Sequence, residues 1–122
     1  MEIVTIVLAR DALWQELNFL IGYFSEKGML KCEVLFGYSW GIYYYDDQPW
    51  KEEEIDLLSL SNLIHKMEQN GLGTFGGSDM IIFLPGIKFN FCHESDIHIE
   101  FENGNFDAPV FLDRWKSSGY LQ

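Results

Sequence analysis

Six consecutive residues, His93-Glu94-Ser95-Asp96-Ile97-His98, bring two imidazoles and two carboxylates together, the side-chain types of metal binding and acid–base chemistry. Their spacing does not fit the best-known use of such a set. A zincin carries His-Glu-x-x-His on a helix, so that its imidazoles lie one turn apart. Here the histidines are five apart across a predicted β-turn, in which Ser95 or Asp96 hydrogen-bonds the backbone. Hairpin geometry can still bring His93 near His98. The reading from spacing is a turn, with no metal and no cofactor expected. His65 lies among helix residues beside Lys66 and Glu68, which reads as a solvated or partly buried helix face.

Nucleophilic chemistry finds no motif. Cys32 and Cys92 have neither a paired spacing nor a local activating sequence and read as free buried thiols. Ser59, Ser61, Ser117 and Ser118 look like caps and turns, and the chain has no Gly-x-Ser-x-Gly elbow. Gly71-Leu-Gly-Thr-Phe-Gly-Gly77 lacks the Gly-Lys-Ser/Thr ending of a phosphate loop, and a strand rather than a helix follows it, so it reads as a sharply bending structural loop. These features point away from an enzyme. Carboxylates converging in space would be invisible at this level.

The most unusual stretch is Tyr43 to Asp56, where aromatic residues and carboxylates are interleaved. Asp46, Asp47, Glu52, Glu53, Glu54 and Asp56 face a single Lys51 in sequence, after Tyr43 and Tyr45 and around Trp50. Tyr and Trp are favoured anchors of protein interfaces, and carboxylates steer a basic partner. Those nine residues form the predicted partner-binding surface. The plainer reading is a charged loop entering a helix, with aromatics covering the sheet.

The bulk charge agrees with a basic partner. The chain has 19 acidic and 8 basic residues, a formal net charge of −11. Nucleic acid would be repelled, since binding it needs Lys and Arg against phosphates. The 122 residues, 48% hydrophobic and 16% aromatic, exclude disorder and suffice for one domain over 1–122 that buries about two thirds of its unfolded surface. Apolar runs are far too short to span a membrane. MEIVTIVLARDALW carries an acid where a secretory signal would be positive, so the expected location is cytoplasmic.

The elements that must position these groups follow from periodicity. Glu2 to Ala9 is predicted as a strand buried on both faces. Asp11 is expected to cap a helix with Leu13, Leu17, Leu20 and Phe24 on its buried stripe, ended by Gly28, with Gly22 a weak point inside it. Leu30 to Phe36 and Ser39 to Tyr45 read as a hairpin around Gly37-Tyr38. Leu57, Leu60, Leu63, Ile64 and Met67 mark a second helix, capped by Ser59 and stopped at Asn70-Gly71. Met80 to Leu84, Ile87 to Cys92 and Ile97 to Glu102 form an antiparallel meander, with Ile87, Phe89 and Phe91 on one face and Lys88, Asn90 and Cys92 on the other. Asp107-Ala108-Pro109 opens a short C-terminal helix that buries Phe111, Leu112 and Trp115 and stops at Gly119. The fold class is α+β, a mostly antiparallel sheet of about five or six strands flanked by two or three helices.

With that order in hand, the acidity and the stretches GLGTFGGSDMIIF, FCHESDIHIEF and FLDRWKSSGY resemble the immunity proteins of bacterial contact-dependent and polymorphic toxin systems. The resemblance implies a cytoplasmic inhibitor that binds one cognate toxin domain, often a basic nuclease, and occludes its active site. Carboxylates would then stand where the toxin grips phosphates. The alternative is a small-ligand-binding or enzymatic domain that uses the Gly71–Gly77 loop and the His93–His98 turn. A third is a subunit of an obligate assembly.

Overall fold

The computed structural model describes residues 1–37 and 51–121, with the side chains of 51–53 outside that description. Period-two alternation builds its centre. Strands β4 (Met80–Leu84), β5 (Ile87–Phe91) and β6 (Ile97–Phe101) bury Met80, Ile82, Leu84, Ile87, Phe89, Phe91, Ile97 and Ile99, the alternate positions of each strand. Gly86, at φ 72°, makes the β4–β5 turn that Pro85-Gly86 predicts. With β1 (Glu2–Val4), β2 (Lys31–Phe36) and β3 (Lys51–Asp56), they form one six-stranded sheet of order β1-β6-β5-β4-β2-β3, antiparallel at every pairing. The architecture is α+β, as the periodicities predict.

Among the described residues, three helices put their apolar stripes into a single core against this sheet: α1 (Arg10–Glu26), α2 (Leu60–Gln69, entered through a 3-10 turn at Leu57–Ser59) and α3 (Ala108–Ser117). Leu13, Leu17, Leu20 and Phe24 of α1 and Leu60, Ile64 and Met67 of α2 are buried, the stripes their spacing marks. Phe111 of α3 is the hub, with ring centroids 4.7 Å from Phe89, 5.3 Å from Phe19, 5.4 Å from Tyr23 and 5.8 Å from Phe24. Full burial of one such ring stabilises the fold by about 1.5–3 kcal/mol. The start of α3 is fixed locally: Asn105 Oδ1 accepts the N–H groups of Asp107 and Ala108, both at 2.9 Å, and Pro109 occupies the first turn.

Several expectations are corrected. Glu2 to Ala9 is not a strand buried on both faces: β1 holds three residues at the sheet edge, and Val4 and Val7 are 40% and 70% exposed. The chain leaves the sheet at Thr5, whose N–H bonds Ile97 O at 2.9 Å and whose Oγ1 accepts the Ile97 N–H at 3.0 Å. After it, the Ile6 N–H turns to Tyr120 O at 2.8 Å. Ala9, not Asp11, is at the N-cap of α1, without a side-chain cap bond; Asp11 lies in the first turn, where its charge suits the helix dipole. Ser59 holds the N-cap position of α2, again without a side-chain bond.

The largest correction is at the acidic run. Residues 51–56 form strand β3 rather than a charged loop, and β2 is flanked by β3 on one edge and β4 on the other. Ladder bonds to β2 and the Ile55 position opposite Cys32 override the poor strand propensity of glutamate, which edge strands tolerate. The partner expected for β2, Ser39 to Tyr45, lies outside the described residues.

Candidate functional site

Opposed residues of an antiparallel pair share a face, so the register alone draws the outer surface of the sheet. One row across it runs Glu54, Glu33, Phe83, Lys88, Glu100, Glu2; the next runs Leu35, Ile81, Asn90, His98, Val4. The four glutamates are exposed, whereas Leu35, Ile81 and Phe83 are half-buried between them. Two directly opposed pairs carry like charge, Glu33 with Glu54 and Glu2 with Glu100. Lys31 Nζ is 3.5 Å from Glu54 and Lys88 Nζ 3.1 Å from Glu100.

Of the nine predicted partner-binding residues, Glu54 and Asp56 are exposed on β3. The register pairs Glu52 with Leu35 and Glu53 with Val34. Tyr43, Tyr45, Asp46, Asp47 and Trp50 lie outside the described residues. Sequence reading missed Glu2, Glu33 and Glu100, which join Glu54 only through strand register. Asp56 also edges an apolar cleft of about 380 Å³ beside Met29, Leu30 and Leu58, the last two 77% and 73% exposed.

The His93–His98 turn divides its groups. His93 Nδ1 lies 3.1 and 3.2 Å from the two Asp79 oxygens, and the His93 backbone N–H donates to Asp79 at 2.9 Å. The ring contact with Asp79, with the Asp79 charge behind it, raises the His93 pKa above its ordinary value. His98 instead places Nε2 3.3 Å from Asp96 Oδ1 and Nδ1 4.0 Å from Glu2 Oε2. The two histidines therefore do not share a site. Each belongs to a separate trio with Cys92, Asp79-Cys92-His93 and Cys92-Asp96-His98, whose ligand atoms lie within 4.8 Å of one another.

Neither thiol is poised as a nucleophile. Burial pushes Cys32 up to about 11, and burial followed by the nearby Asp79 and Asp96 charges holds Cys92 at about 11. Both cysteines are free and buried, as their isolation in sequence predicts. His65 stacks on Trp14 with ring centroids 4.4 Å apart and planes at 9°, a packing role.

The glycine loop is filled from within. Phe75 is buried against Trp14 and Phe91, its N–H donates to Glu68 Oε2 at 2.9 Å, and its carbonyl accepts from Arg10 Nη1 at 3.1 Å. Arg10 and Glu68 pair at 2.6 Å. Burial alone would raise the Glu68 carboxyl, but the Arg10 and Phe75 bonds bring it below its usual range. Gly76, at φ 90°, has no room for a side chain: a Cβ would fall 2.8 Å from Leu13 Cδ1. This loop packs against α1 through Phe75 and Gly76.

No protein-family model, curated protein or solved structure matches the chain. Among the described residues, no helix is long and apolar enough to cross a membrane.

Proposed function

We propose that this chain is a non-catalytic inhibitor, an immunity protein of a bacterial toxin system, that binds one basic toxin domain stoichiometrically and occludes its active site. The observation that carries this reading is the row of Glu54, Glu33, Glu100 and Glu2 on the outer face, with two like-charge pairs directly opposed. Like charges directly opposed work against a sheet, a cost that a basic partner would turn into attraction. Leu35, Ile81 and Phe83 supply apolar contact area between the charges, the usual division of an interface into apolar centre and charged rim. Lysines and arginines of the toxin domain would meet the carboxylates in place of substrate phosphates. Nucleic acid itself would be repelled, and the inhibitor would act in the cytoplasm, where the toxin arrives.

Affinity capture from the native host tests this, with the wild-type chain beside the double variant Glu33→Lys/Glu54→Lys. A basic protein held one-to-one by the wild type, lost by the variant and weakened by rising salt is the expected result. Equal retention by both baits would move the surface elsewhere. A folded bait that captures no basic protein would end the inhibitor reading.

A further inference from the structure

We propose that Cys92 Sγ, Asp96 Oδ1 and His98 Nε2 bind one Zn²⁺ ion at the β5–β6 turn. Sulfur, imidazole nitrogen and carboxylate oxygen together are the donor set of zinc, whose tetrahedral ligands lie about 2.0–2.3 Å from the ion and so about 3.3–3.8 Å from one another. Asp96 Oδ1 and His98 Nε2 are already 3.3 Å apart, and the three donors all fall within 4.8 Å.

An independent observation points to a ligand. Asp96 is only 8% exposed, and its Oδ1 is buried without a hydrogen bond, although His98 Nε2 lies 3.3 Å away. A buried carboxylate oxygen without a donor is a rare and costly arrangement that an ion relieves. Asn90 repeats the pattern. It opposes His98 in register and precedes Cys92 by two residues, and its Oδ1 is also buried without a partner.

The local fold holds these donors in place. The Cys92 N–H bonds Asp96 O at 2.9 Å and the Ser95 N–H bonds Cys92 O at 3.1 Å, closing the turn so that Asp96 returns beside Cys92. Ser95 takes a left-handed φ of 63° to do so, and its hydroxyl donates to Gly76 O at 3.0 Å. Strand alternation then sets His98 on the same face as Cys92. Glu2 Oε2, 4.0 Å from His98 Nδ1, favours the tautomer that keeps its proton there and leaves Nε2 free to ligate. The neighbouring Asp79-Cys92-His93 trio lacks this orphaned oxygen, because Asp79 is already satisfied by His93 through ring and backbone. The ion is therefore assigned to the Asp96 side.

The test is titration of the purified protein with Zn²⁺ alone by chelator competition, beside Co²⁺ loading followed by absorption. One ion per chain, a thiolate-to-Co²⁺ charge-transfer band and a raised melting temperature are expected. Cys92→Ser and His98→Gln, shown by circular dichroism to be folded, should each weaken Zn²⁺ binding by more than about 100-fold, and Glu2→Gln by about 10-fold. Cys32→Ser and His93→Ala should leave it within about twofold on the same scale. Binding weaker than millimolar by the folded wild type, or a Co²⁺ spectrum without the thiolate band, would overturn the site. Loss in His93→Ala with retention in His98→Gln would overturn it equally. None of these readouts involves a protein partner.

Discussion

The two faces of the sheet obey opposite rules. On the helix-covered face, Phe89 and Phe91 meet Phe24, Phe75 and Phe111 in close aromatic contact, and a charge buried among the helices is fully matched. That charge is Glu16, 3% exposed, which accepts from Arg114 Nε at 2.8 Å, Arg114 Nη2 at 2.9 Å and Trp115 Nε1 at 2.7 Å. On the outer face, by contrast, glutamates stand directly opposite glutamates in water. The difference teaches where folding energy resides. Because helix packing secures the fold from one side, the other can carry charge that works against the sheet.

Breaking the covered face should therefore cost most. Phe89→Ala removes a ring that contacts both Phe24 and Phe111 and should destabilise the protein by about 3–5 kcal/mol, read from urea unfolding at pH 7. A loss under about 1 kcal/mol would mean the aromatic cluster collapses around the gap. Arg114→Ala comes next. It leaves Glu16 buried with only the Trp115 N–H, and the expected cost is about 3 kcal/mol, at the low end for a broken buried pair because the guanidinium is a third exposed. Arg114→Lys should recover only part of it, since an ammonium cannot reproduce the two-pronged contact.

Much of the covered face was legible in sequence, and the outer face was legible only in part. Apolar and polar residues alternate from Ile87 to Phe91 and from Ile97 to Phe101, so the buried side of those two strands follows from period two, whereas Met80 to Leu84 is a continuous apolar run that marks a strand but not its face, and the leucine stripes place α1 and α2. Strand β3 escaped because Lys-Glu-Glu-Glu-Ile-Asp has one apolar residue to mark a phase, and its pairing comes from β2. β1 was read too long because apolar residues continue past Val4, although the chain there follows Tyr120 and Ser95 rather than a strand. Glu16 lies at helical spacing from Leu13 and Leu20, which marks it for burial, but its partners are 98 and 99 residues away. The turn residues were visible as chemistry, and Cys92 reads in sequence as the free buried thiol it is. The signal that unites it with His98 was its phase, shared with Lys88 and Asn90 on the polar side of β5.

The smallest effect expected is the sharpest test of the contrast between faces. Glu54→Lys exchanges a repulsion across the β2–β3 ladder for an attraction to Glu33, which favours the sheet by a few tenths of a kcal/mol up to about 1. Against this stands the loss of the Lys31–Glu54 contact, 3.5 Å between side chains about 60% exposed, a pair of the kind worth roughly 0–1 kcal/mol. The two nearly cancel, so unfolding free energy should stay within about 0.5 kcal/mol of wild type or rise slightly. Glu54→Ala, which removes the repulsion without adding an attraction, should fall between them. A drop beyond about 1 kcal/mol would show that this carboxylate supports the fold through contacts of its own, and the division between a face that folds and a face that binds would fail at β3. Unchanged stability in a variant that no longer holds a basic partner would instead separate the two roles in one residue.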